Sequence, residues 1–131
     1  MDELLLFIKE IFVLSDRDLN YYRVYTNRFI PIVSRCRGEI RSAVVAMKQS
    51  SDLMTIVFVG TKQEHRNKGL ATQNLNELLQ KYGRKYSMFL AIDKGKPNSA
   101  ELIRWYAKFG FRQQEAGNVP RYYCMERPRD P

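Results

Sequence analysis

Cysteine is nearly absent from this chain. Cys36 and Cys124 are the only two, they form no CxxC pair, and the one histidine, His65, cannot complete a metal-binding set with them. Neither a structural disulfide nor a metal centre is expected. Long hydrophobic runs are missing as well: the most apolar stretch, Leu4 to Leu14, is broken by Lys9 and Glu10 and follows the acidic start Met1-Asp2-Glu3. It has neither the basic opening of a signal peptide nor the length of a membrane span, so a soluble, cytoplasmic protein without a membrane partner is expected. Acidic residues are in deficit, 14 Asp and Glu against 22 Lys and Arg, which leaves a formal net charge of +8. That surplus predicts attraction to a polyanion, whether a nucleic acid, an acidic protein or a phosphate-rich small molecule. Charge does not choose among them: the basic residues are scattered, and no nucleic-acid-binding signature occurs. No internal repeat or low-complexity segment is present, and 131 residues of which 44% are hydrophobic fit one domain over residues 1–131, with 126–131 as a frayed tail.

Against these absences stands a regular succession of element signals. Residues 2–13 are almost continuously apolar and read as a short helix. Ser15-Asp16-Arg17-Asp18 then offers N-cap candidates, and Leu19, Tyr22, Val24, Tyr25 and Phe29 recur at helical spacing, predicting a helix from Asp16 to Phe29 that stops before Pro31. Ile32-Val33, the turn at Arg37-Gly38-Glu39 and Ile40 to Met47 predict a hairpin, and Met54 to Thr61 adds a third strand to the meander. A helix from Gly69 to Tyr82, a buried strand at Met88 to Ile92, a helix from Ala100 to Phe109 with Ser99 as its N-cap, and a last strand pair at Phe111 to Gln113 and Arg121 to Met125 complete the series.

The informative junction is Gln63-Glu64-His65-Arg66-Asn67-Lys68-Gly69-Leu70-Ala71, which joins a β-branched strand to an amphipathic helix. A glycine-containing basic turn at the start of a helix offers unpaired N–H groups and the positive end of the helix dipole to an anion such as a pyrophosphate. Gly69 and Ala71 keep side-chain bulk away from the approach, and Arg66 and Lys68 add countercharge. Taken alone, the same residues also read as an ordinary glycine turn.

Two motifs in order, on the expected elements, carry a resemblance. Arg66-Asn67-Lys68-Gly69-Leu70-Ala71 matches the Q/R-x-x-G-x-G/A acyl-CoA signature of the GCN5-related N-acetyltransferase (GNAT) family, and Tyr106-Ala107-Lys108-Phe109-Gly110-Phe111 matches its second hallmark. The chain resembles that family over residues 40–125. The resemblance implies an α+β fold with a central mixed, mostly antiparallel twisted sheet flanked by helices, whose strands splay at the coenzyme site. It implies acetyl-CoA as cosubstrate, with no metal. Binding falls to the backbone of Val59, Gly60 and Thr61, to Arg66, Asn67, Lys68, Gly69, Leu70, Ala71 and Thr72, and to Asn98, one place short of the family's pantetheine-binding asparagine position, which holds Ser99. Tyr106 is implied as the catalytic acid that protonates the departing thiolate, a role its ordinary pKa of about 10 permits.

The acceptor is an amine of undetermined class: a protein, an aminoacyl-tRNA or a small molecule. The resemblance places Tyr22, Tyr25, Glu115, Tyr122 and Tyr123 on the acceptor side, whereas Glu64 and His65 read as solvated residues of the turn. No carboxylate lies in Met54 to Thr61, where many members carry one, so the general base is unassigned. That gap supports a second reading, a GNAT-fold module that binds acyl-CoA or a protein without turnover; a nucleic-acid-binding domain is a third. Family members often pair through exposed strands, and Tyr122 to Met125 is where a homodimer would form.

Overall fold

The computed structural model describes residues 2–12, 16–114 and 121–131. Strands β1 (Phe29–Cys36), β2 (Glu39–Lys48), β3 (Leu53–Thr61), β4 (Ser87–Asp93), β5 (Arg112–Gln113) and β6 (Tyr122–Arg127) form one sheet in the order β1-β2-β3-β4-β6-β5. All neighbouring pairs are antiparallel except β3 with β4. The first hairpin turns on Arg37 and Gly38, both at positive φ (53° and 83°), the paired left-handed conformation that matches the twist of a two-residue hairpin.

Alternation along β2 sorts its side chains onto two faces. Val45 and Met47 join Phe7 and Ile8 of α1 (Asp2–Ile11), while Val44 and Ala46 join Leu75, Leu78 and Leu79 of α3 (Leu70–Tyr82). α2 (Asp16–Tyr25) borders the first cluster and α4 (Ser99–Ala107) the second. The sheet therefore lies between two helical layers, the architecture expected from the resemblance. Leu75 and Leu78 are fully buried, and truncating either to alanine costs about 2–5 kcal/mol by analogy with other core leucines. No helix among the described residues is long and apolar enough to cross a membrane.

Three local expectations are corrected. α2 ends at Tyr25, four residues early, because a 3-10 turn at Thr26–Arg28 leads into β1, where Phe29 pairs with Met47. Pro31 consequently lies inside β1 instead of stopping a helix, tolerated because β1 is the sheet's edge. The expected last strand pair is present, β5 pairing β6 at Met125 and Glu126 while β4 pairs it from Tyr122 to Arg127 on the other side. Residues 126–131, however, are no frayed tail. The Asp130 N–H donates to the Gly83 carbonyl, and Arg127 donates to Phe109 O at 2.7 Å and pairs with Asp130 at 2.8 Å.

Strands β3 and β4 run side by side for only a short stretch. They pair only at Leu53–Ser87, Met54–Met88 and Thr55–Phe89, after which β4 stays with β6 and β3 with β2. A register shift against β2 leaves Val57 as an extra residue in β3, a bulge that bends the strand at the point where the two part. A cleft opens between them.

Candidate functional site

At the far end of β3 the chain makes a 3-10 turn, Gln63–His65, then enters α3 through residues 66–69. Asn67 and Gly69 both have positive φ, 65° and 75°, and Gly69 is the N-cap of α3. A Cβ at Gly69 would meet nothing within 4 Å, so its backbone conformation and the open approach, not packing, call for glycine. Buried Leu70 pins the first turn of the helix to the core. Among the described residues, no backbone acceptor pairs with the N–H groups of 67–72; the first such bond runs from Gln73 N to Gly69 O. Several unpaired donors thus face solvent at the positive end of a 13-residue helix. Arg66 is exposed, and its Nε donates to Thr61 O at 3.2 Å, which ties the turn back to the end of β3; Lys68 is exposed beside it.

The cleft between β3 and β4 has a volume of about 560 Å³. Val57 and Val59 line it from one strand, Ala91 and Asp93 from the other, and Asn98, Leu102 and Tyr106 from the start and face of α4. Gly60 and Thr61 lie outside its lining, toward the turn that leads into α3, where Ser42 Oγ donates to Gly60 O at 3.2 Å and meets Thr61 Oγ1 at 2.8 Å. Asn98 is the N-cap residue of α4 in place of Ser99, and its side chain makes no capping bond. Tyr106 is 8% exposed and is held edge-on by Trp105 (centroids 4.9 Å) and Phe111 (5.7 Å). Burial pushes its phenol pKa well above the ordinary value, so the group is neutral across the physiological range.

Of the acceptor-side candidates, Tyr22 and Tyr122 line the cleft, whereas Tyr25 and Tyr123 are packed against the two cores. Glu115 lies outside the described residues. Glu64 and His65 border a separate pocket by the β1–β2 turn, with Arg37 and Arg41. The structure adds residues that no local pattern marks. Asp18 and Tyr21 reach the cleft from α2; Asp18 and Tyr21 also raise the Tyr22 pKa, although its burial is the larger cause. Asp93 pairs with Arg121 at 3.5 Å and accepts the Gly95 N–H at 2.8 Å. Asp18 and Asp93 are the carboxylates on this cleft among the described residues, and β3 contributes none.

A family model described as "Acetyltransferase (GNAT) family" matches residues 9–111. Solved structures of similar fold include a GNAT family acetyltransferase from Elizabethkingia anophelis with acetyl-CoA bound (16% identity, TM-score 0.72, covering 92% of this chain and 89% of that one). An IAA acetyltransferase from Bacillus cereus has 18% identity and a TM-score of 0.69 over 91% and 90% of the two chains. Arabidopsis thaliana Naa50 in complex with a bisubstrate analogue, CoA-Ac-MVNAL, has 15% identity and a TM-score of 0.60 over 87% and 94%. No curated protein matches this chain.

Proposed function

This chain belongs to the GNAT acetyltransferase family, and on that premise we propose that it transfers the acetyl group of acetyl-CoA to a primary amine by direct attack. The observation that carries the reading is the run of unpaired N–H groups at 67–72 leading to a cleft that ends on buried Tyr106. An anionic diphosphate fits those donors, and a slender pantetheine arm fits the gap between β3 and β4, whose facing edges pair with each other only up to Thr55 and Phe89. Bound acetyl-CoA supplies the thioester that the amine attacks.

The chain's own groups have separable roles. Gly69, Leu70, Ala71 and Thr72 donate backbone N–H bonds to phosphate oxygens, with Asn67, Arg66 and Lys68 beside them. Asn98, uncommitted to capping, serves the pantetheine amides. A β3 backbone N–H in the stretch Val59 to Thr61 donates to the thioester carbonyl oxygen as negative charge grows there. Tyr106, kept neutral by burial, gives its proton to the departing sulfur, and the proton that the amine nitrogen loses returns through water to the phenolate. Tyr22 and Tyr122 form the acceptor wall. Neither Cys36 nor Cys124 lines the cleft, in keeping with transfer that needs no acyl-enzyme.

A second reading has one specific observation in its favour: β3 carries no carboxylate to serve as base. The chain would then bind acyl-CoA without efficient turnover. Thermal shift with acetyl-CoA and CoA, followed by thiol release with a panel of amines, separates the readings. A ligand at a hundred times its Kd stabilises by about 2.7 kcal/mol. A shift with thiol release supports transfer, a shift without release from any amine supports the binding module, and no shift with either ligand defeats both.

A further inference from the structure

Beneath the phosphate-type turn a row of polar side chains crosses an otherwise apolar interface. Ser34 of β1 stands opposite Ser42 of β2, and Ser42 opposite Thr61 of β3. Ser42 and Thr61 meet through their hydroxyls at 2.8 Å, and Ser34 Oγ donates to Asn74 Oδ1 on α3 at 3.0 Å. Ser42 is 0% exposed and Asn74 4%, the only buried polar residues among those described. Around them lie Ile32, Val44, Leu75 and Leu78, so aliphatic residues would suit the same positions on packing grounds alone.

Both ends of the turn are anchored on this row. At its start, the last two carbonyls of β3 accept side-chain bonds, Gly60 O from Ser42 and Thr61 O from Arg66. At its end, Asn74 lies one turn into α3, just past the N–H groups left unpaired at 70–72. Apolar burial is non-directional and close packing tolerates several volume-conserving arrangements, whereas a buried hydrogen bond adds a directional constraint that selects one setting of the helix. A slide of one residue moves the helix by about 1.5 Å, enough to misplace every donor that faces an anion. The amide of Asn74 also holds a buried Nδ2 without a partner among the described residues. Such an imperfectly satisfied group is a poor device for stability and an acceptable one for register.

We infer that Asn74, held by Ser34, and Ser42, held by Thr61, are positioning residues that set the phosphate-binding turn for the coenzyme. The inference rests on the acetyl-CoA reading above. The whole chain is used for the test, with Trp105 fluorescence and thermal shift reporting acetyl-CoA binding and thiol release reporting turnover. Asn74→Leu and Ser34→Ala are expected to raise the Kd and KM for acetyl-CoA about ten-fold, with kcat at saturation within two-fold of wild type and melting temperature unchanged or higher. Ser34→Thr keeps the hydroxyl and should keep the affinity. Leu78→Val, an apolar change on the same face of α3, should lower the melting temperature and leave the Kd alone. Unchanged affinity in folded Asn74→Leu and Ser34→Ala overturns the inference while leaving the coenzyme reading intact, as does an equal loss of affinity in Leu78→Val. If Asn74→Leu does not fold, Ser34→Ala and Ser42→Ala decide the matter by the same readouts. Failure of the wild-type protein to bind acetyl-CoA removes the coenzyme reading and this inference together.

Discussion

Lys96 Nζ stands over the ring of Phe12, 4.7 Å from its centroid, and so joins the loop after β4 to the end of α1 on the open side of the cleft. Phe12 is itself braced edge-on against Phe58 of β3 at 5.1 Å. The contact bridges the two strands that part beneath it. An exposed cation–π pair is worth about 0.5–1 kcal/mol, so Lys96→Ala is expected to lower the melting temperature by a few degrees at most.

Gly69 adopts a φ of 75° with open space around it. An L-residue there is strained by about 1–2 kcal/mol without any clash. Gly69→Ala should therefore fold with that loss, read from urea midpoints, and bind acetyl-CoA more weakly. Gly69→Val, whose branched side chain covers the N–H groups, should fold less stably still and show no thermal shift with acetyl-CoA.

Arg66 is exposed and bonded to Thr61 O, so it closes the turn, and under the proposed function it also supplies countercharge. Arg66→Gln removes the charge and one charged hydrogen bond, worth about 1.5–3 kcal/mol in contact with phosphate. The expected result is a roughly ten- to hundred-fold rise in Kd for acetyl-CoA, with a shallower dependence of that Kd on salt than in the wild-type protein.

Tyr106→Phe should bind acetyl-CoA normally and turn over more slowly, since the ring stays packed between Trp105 and Phe111 while the proton donor is lost. The phenol also has a pH signature in stability. Its pKa is raised by burial in the folded protein, so the unfolded chain, ionising near its ordinary value of about 10, gives up the proton first. The stability tied to the neutral phenol is whole below about pH 10 and is lost as pH climbs from there toward the folded value. Urea midpoints measured from pH 8 to 11 should fall more gently above pH 10 for Tyr106→Phe than for the wild type.

Much of the fold is legible in contiguous residues. Arg37-Gly38 between two β-branched runs specifies a two-residue hairpin turn, and the spacing of Leu75, Leu78 and Leu79 specifies a helix with one buried face. The end of α2 is less legible, because Phe29 and Ile30 suit a helix locally and become strand only by pairing with Met47 and Ala46. The tail is held by Gly83, far away in sequence, so no local feature of residues 126–131 announces it.

The candidate site divides along the same line. Strand, glycine turn and helix follow one another without a break, so the turn with its unpaired donors is encoded by neighbours: positive φ favours Gly69, and a helix start leaves its first N–H groups free whatever surrounds it. The sequence by itself therefore determined the glycine turn with its unpaired donors and the family resemblance it carries. Tertiary structure alone decided that β3 and β4 part after Thr55 and Phe89, that Asp18, Lys96 and Arg121 reach the cleft while Tyr25 and Tyr123 do not, and that Ser34, Ser42, Thr61 and Asn74 align under the turn. Each of those outcomes depends on strand register and on which faces pack together, quantities that arise only when residues distant along the chain compete for the same partners.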